Sequence, residues 1–150
     1  MMAHAALADV VVMAAAVSDF RPVAPVPEKL KKAAGDTMSW KVERTPDILE
    51  ELRQLRGNCT LVGFAAETSN LEARSREKLA RKGCDLIVAN LVGTGGTGFD
   101  VETNEVVILD RLGGNVTAGP AIKADIATSI IDAILEFRQR LGIASPEKAG

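Results

Sequence analysis

Three short stretches constrain the fold more than anything else in the chain: "DVVVMAA" from Asp9, "TLVGFAA" from Thr60 and "DLIVAN" from Asp85. Each is nearly continuous in apolar residues and rich in Val or Ile. A strand of that kind must be covered on both faces, as in a parallel sheet packed between helices. Between the last two lies "ETSNLEARSREKLARKG", where Ser69 and Glu72 have capping-box spacing and Gly83 stands at the stop. Strand, helix and strand at this interval make a βαβ unit. The predicted class is α/β, with helices on both sides of a mainly parallel sheet.

The rest of the chain fits around that unit. In "TPDILEELRQLRG", Thr45 suits an N-cap, Pro46 the first helical position and Asp47 the N-terminal dipole. Ile48, Leu49, Leu52 and Leu55 form the apolar face, and Gly57 ends the helix. Before it, "MSWKVE" alternates well enough for a short strand. "FDVETNEVVILDRLGGNVT" reads as an antiparallel hairpin turning near Gly113-Gly114. A last helix over 123–141 places Ile126, Ile130, Ile134, Phe137 and Leu141 on one stripe. With no repeat and no linker, residues 1–150 are expected to form a single domain, with 1–7 and 143–150 as loose tails.

Composition narrows the chemistry. The chain has four Phe, one Trp and no Tyr, so its core must come from Ala, Val, Leu and Ile. A net charge of −2 gives no global pull toward nucleic acid or an anionic membrane, so anion chemistry has to come from local lysine clusters. His4 is the only histidine, which argues against histidine-based zinc sites and catalytic triads. Cys59 and Cys84 lack metal-type spacing and sit beside apolar runs, as thiols of a reducing compartment do. The apolar N-terminal run lacks a basic leader and carries Asp9, and no stretch reaches about 18 apolar residues. A cytoplasmic location is expected.

Two motifs mislead. "GTGGTG", Gly93 to Gly98, matches a dinucleotide fingerprint but runs into strand-like sequence, leaving no helix N-terminus for a pyrophosphate. Ser18 lacks the flanking glycines of a nucleophile elbow.

Better candidates lie where the strands end, since ligands bind in the crevice at that edge of a parallel sheet. Asp19 follows the first strand, "GFAAET" with Phe64 leaves the second, and Asn90 ends the third. The segment "SDFRPVAPVPEKLKK" then sets Lys29, Lys31 and Lys32 on a loop restricted by Pro22, Pro25 and Pro27. Lys78 and Lys82, four apart, share a helix face with Arg74 one turn earlier. That face reads either as an anion site or as a solvated surface, helped by Glu77 pairing with Arg81. Asp19 is a hard oxygen ligand suited to Mg²⁺, and lysines neutralise phosphate oxygens. No P-loop motif occurs. The residues themselves therefore point to an anion or nucleotide site.

"AAVSDFRP", "PEKLKK", "TPDIL", "LVGFAAET" and "KGCDLIVAN" occur in order, and together they resemble phosphopantothenate–cysteine ligase, the synthetase half of a bifunctional coenzyme A biosynthesis protein. The likeness covers about Ala8 to Leu141. It implies a Rossmann-like three-layer domain, with CTP, 4′-phosphopantothenate and cysteine as substrates and an acyl-cytidylate intermediate. It also implies roles for residues. Asp19 would bind Mg²⁺ on the triphosphate, and Lys29 would reach the reacting phosphoryl groups from a flap. Thr45, Pro46, Asp47, Ile48 and Phe64 would line the nucleotide pocket. Lys78 and Lys82 would bind phosphates, and the backbone at Met13, Ala14 and Ala15 would meet the cytosine. A homodimer with the hairpin region at the contact is expected.

Relative to that family, the chain shows no counterpart of the first strands and glycine-rich opening. It also lacks the flavin-dependent decarboxylase half, so FMN is not expected on it. A missing N-terminal synthetase segment or decarboxylase half would be a partner. The alternative expectation is a non-catalytic fragment, acting as a nucleotide-binding or dimerisation module.

Overall fold

The three apolar stretches do pair side by side. In the computed structural model, which describes residues 2–25, 39–55, 57–67, 69–91 and 103–143, they become β1 (Val10–Met13), β4 (Thr60–Glu67) and β5 (Leu86–Leu91). β4 lies between the other two and is parallel to both, with Val12 opposite Val62 and Phe64 opposite Val88. The predicted hairpin extends this sheet. β6 (Thr103–Asp110) runs antiparallel to β5, and β7 (Asn115–Ile122) antiparallel to β6, giving the order β1-β4-β5-β6-β7.

Alternation along the strands sends side chains into two separate cores. Val62, Leu86, Val88, Val106 and Ile108 face α4 (Lys123–Arg140), meeting the predicted stripe of Ile126, Ile130, Ile134 and Phe137. Leu61, Ala65, Ile87, Ala89 and Leu109 face the other way. There they pack on Leu52 of α2 (Ile48–Leu55), Leu79 of α3 (Leu71–Lys82) and Ala5 of α1 (Met2–Ala5). The fold is thus a Rossmann-like α/β domain of three layers, as its apolar pattern requires.

Four local details differ from expectation. Residues 2–5 form a helical turn with Ala5 buried, where a loose segment was expected. α2 starts at Ile48 and is capped by Asp47, whose carboxylate accepts the Glu50 N–H at 3.3 Å, so Thr45 is not the cap. At α3 the capping residue is Asn70, in the left-handed region at φ 50° and without a side-chain cap bond. The Ser69–Glu72 box is therefore not formed, and Glu72 pairs with Arg76 at 3.1 Å. Glu77 and Arg81 likewise do not pair with each other, and among the described residues the ion pair within α3 is the one between Glu72 and Arg76. At the far end, Gly83 closes α3 at φ 62°, as predicted, its N–H donating to Ala80.

An element not foreseen is a two-stranded ribbon outside the main sheet. β2 (Phe20–Pro22) pairs antiparallel with β3 (Val42–Arg44), setting Phe20 opposite Arg44. The proline-rich exit from the core is thereby folded back toward the start of α2.

Candidate functional site

Where β1 and β4 approach the ribbon and the facing sides of α2 and α3, the surface sinks into a cleft of about 500 Å³. That volume suits a nucleotide-sized ligand. β1 supplies Met13, and the segment after it supplies Ala15, Ser18 and Asp19. β4 supplies Phe64. The approach to α2 brings Thr45, Pro46, Asp47 and Ile48, and α3 brings Lys78, Arg81 and Lys82.

Local chemistry explains how these residues hold their places. Gly63 lets α2 come close to β4: a Cβ there would lie 3.3 Å from Leu49 Cδ1 and 3.1 Å from Cys84 Sγ. Its small size thus serves packing beneath the cleft, where room for a ligand at the backbone was expected. Thr45 ties the ribbon to the strand exit. Its N–H donates to the Asp19 carbonyl at 3.0 Å and its hydroxyl to the Ser18 carbonyl at 2.5 Å. Lys82 forms an ion pair with Asp47 across the α2–α3 contact, both side chains being largely shielded. Burial pushes the Asp47 carboxyl up. The Lys82 hydrogen bond, the Glu50 and Leu49 N–H groups and the Lys82 charge outweigh this and hold it below the usual aspartate value.

The charge distribution differs from expectation in a useful way. Lys82 is committed to Asp47, whereas Lys78, Arg81 and Arg44 line the cleft without an ion-pair partner among the described residues. Arg74, placed with the lysines by spacing, instead lies 3.9 Å from Glu67. Arg44 and Arg81 were missed in the sequence. The signal for Arg81 was present, because positions 78, 81 and 82 are i, i+3 and i+4 on one helix face. Arg44 could be placed only once β3 was known to pair with β2. Ala14 is exposed beside the cleft, and Asn90, on β5, has a buried Oδ1 with no partner among the described residues. Lys29, Lys31 and Lys32 lie outside the described residues, as does the "GTGGTG" segment.

A cleft lined by cations, carboxylates and parts of the quoted motifs invites comparison with known proteins. The family model described as "DNA/pantothenate metabolism flavoprotein C-terminal domain" matches residues 1–137. The chain belongs to this family. It is 40% identical over 134 residues to the coenzyme A biosynthesis bifunctional protein CoaBC of Bacillus subtilis, a match covering 89% of this chain and 33% of that protein. The chain thus spans about a third of the length of the curated relative. Among solved structures, the C-terminal domain of CoaBC aligns with a TM-score of 0.70 and 29% identity, over 93% of this chain and 59% of the other. A Cab2 variant in complex with phosphopantothenate-cysteine aligns with a TM-score of 0.66 and 19% identity, over 94% and 49%, a likeness of fold alone. The family resemblance drawn from the five motifs is borne out.

Proposed function

We propose that this domain is the CTP-binding portion of a phosphopantothenate–cysteine ligase, acting in coenzyme A biosynthesis. The observation that carries this reading is the cleft, which gathers Asp19, Thr45 to Ile48, Phe64, Lys78 and Lys82 from four separate segments. Family membership and the coenzyme A biosynthesis relative support it.

In this reading the carboxylate of 4′-phosphopantothenate attacks the α-phosphorus of CTP. The bond to the β-phosphate oxygen breaks, pyrophosphate leaves, and an acyl-cytidylate forms. The amine of cysteine then adds to the acyl carbon, CMP leaves, and the amine nitrogen gives up its proton as the amide forms. The protein's part is to hold the triphosphate and spread its charge. Lys78, Arg81 and Arg44 face the cleft with no ion-pair partner among the described residues, and Lys29 would add its charge to theirs. Phe64 offers an apolar wall, and the Met13 to Ala15 backbone edges for the base.

The residues fit Mg²⁺ in a particular way. Among the described residues no group of three carboxylate, histidine or cysteine side chains could cage a metal. Asp19 is exposed at the rim, and Asp47 is held by Lys82. One carboxylate completed by substrate phosphate oxygens is the usual way Mg²⁺ is held with nucleotides. Bound with CTP at Asp19, it would supply positive charge to the triphosphate oxygens.

A second reading is a nucleotide-binding or dimerisation module without chemistry of its own. In support of self-association, β7 ends the sheet with Val116 and Ile122 exposed, and α4 exposes Ile131 and Leu135. Calorimetry with CTP, ATP and NADH, with and without Mg²⁺, tests the first reading: CTP-selective binding is expected, and binding of no nucleotide would overturn it. Pyrophosphate release with 4′-phosphopantothenate present separates catalyst from binding module. Sedimentation equilibrium should show a dimer, and a clean monomer at high concentration would remove that part. Among the described residues no helix is long and apolar enough to cross a membrane, and we propose a cytoplasmic site of action.

A further inference from the structure

We infer that Thr45 is a positioning residue: its two hydrogen bonds clamp the backbone on which Asp19 sits, and so set how strongly nucleotide binding responds to Mg²⁺. The inference rests on the proposed function and adds to it a role for Thr45 that acts through Asp19.

Among the described residues, few bonds hold Asp19. It follows an exposed stretch, residues 14–18, without regular structure, and its own side chain is exposed. The bonds that fix its backbone come from one residue 26 positions later. The Thr45 hydroxyl donates to the Ser18 carbonyl at 2.5 Å and the Thr45 N–H to the Asp19 carbonyl at 3.0 Å, so the peptide units on both sides of the Asp19 Cα are held. Ser18 reinforces the turn, its hydroxyl donating to the Phe20 carbonyl at 2.8 Å and accepting the Phe20 N–H at 3.4 Å. The Phe20–Arg44 pairing continues the clamp into the ribbon. Thr45 is available for this because Asp47 does the capping of α2. A carboxylate that must meet a metal on a bound triphosphate works best when its geometry is fixed beforehand, because ordering a loop residue on binding would weaken the complex by roughly tenfold. Thr45 does that ordering in advance.

The test compares CTP affinity in EDTA with affinity at saturating Mg²⁺, by calorimetry on the full chain. The readout is the ratio of the two. The wild type is expected to bind more tightly with Mg²⁺, and Asp19→Asn to lose that gain. Thr45→Val, which keeps shape but removes the hydroxyl donor, should reduce the ratio by about five- to tenfold, a loss expected for one hydrogen bond. Thr45→Ser, which restores the donor, should return it to within about twofold of wild type. A wild-type ratio in Thr45→Val would overturn the inference, as would an equal loss of affinity with and without metal. No CTP binding by the wild type would instead overturn the underlying reading, and this inference with it. Thermal melting of each variant confirms that it folds.

Discussion

The two ends of the sheet use charge in opposite ways. At the end where the parallel strands begin, three charged groups are buried, Asp85, Asp110 and Arg138, and each has a partner. Arg138, 2% exposed, reaches under the sheet from α4, donating to the Asp9 carbonyl at 2.7 Å and the Thr60 hydroxyl at 3.0 Å. Asp85 accepts the Leu61 N–H at 2.9 Å and Arg111 at 2.7 Å, with the Arg111 guanidinium over the Phe137 ring. Asp110 takes Arg140 at 2.7 Å together with the N–H groups of Leu112 and Gly114. At the opposite end, Lys78, Arg81 and Arg44 face a cleft with no ion-pair partner among the described residues. Paired charges of the first kind specify how elements join. Unpaired cations gathered in a concavity are poised for a ligand's charge.

The widest separation between the ends should come from Arg138→Ala. Removing this buried side chain takes away its packing and its two hydrogen bonds, although the Asp9 carbonyl keeps the Thr60 N–H, and is expected to cost about 2 kcal/mol of stability. Urea unfolding would measure it, and a loss under about 1 kcal/mol would mean that the buried network is incidental. Lys78→Ala should behave in reverse, shifting stability by less than about 0.5 kcal/mol while weakening CTP binding roughly tenfold. Equal losses of stability in the two variants would erase the contrast.

Asp47→Asn tests the Lys82 ion pair, the exception to the contrast because it lies in the cleft lining itself, and its effect should be the smallest. The Asp47 carboxyl is held below its ordinary value, so its stabilising contribution is fully present above the unfolded aspartate pKa, about 3.9. It is lost as pH falls through the lower folded value. The stability difference between wild type and Asp47→Asn should therefore be under about 1 kcal/mol at neutral pH, given the partial exposure of the pair. It should vanish in acid. A difference that persists at pH values where Asp47 is protonated would assign the effect to something other than the Lys82 pair.

The layers were legible in the sequence because burial on two faces leaves a local trace. "TLVGFAA" has to be covered on both sides wherever it sits, and the Ile126-to-Phe137 stripe names its own face. The cleft was legible to the extent that its residues lie on or just beyond the parallel strands: Asp19 after β1, and Phe64 within β4, which runs on to Glu67. What escaped was decided by distant partners. Nothing near Thr45 says that its hydroxyl will serve Ser18 in place of α2, and nothing near Lys82 says that Asp47 will claim it. The ribbon was hidden for the same reason, since Phe20–Pro22 is too short to signal a strand until Val42–Arg44 arrives beside it. Asn70 shows the limit of motif reading, because a left-handed residue displaced the Ser69 box that the spacing suggested.

Gly63 lets Leu49 and Cys84 close over β4 beneath the cleft. A methyl group added there would press on Leu49 in the first turn of α2, and that turn begins directly after the Thr45-Pro46-Asp47 segment. The nearer contact would be Cys84 Sγ at 3.1 Å, so the strain would be shared between Leu49 on the α2 side and Cys84 at the entry to β5. One missing carbon atom thus ties the packing beneath the floor to the helix whose approach forms one wall of the depression.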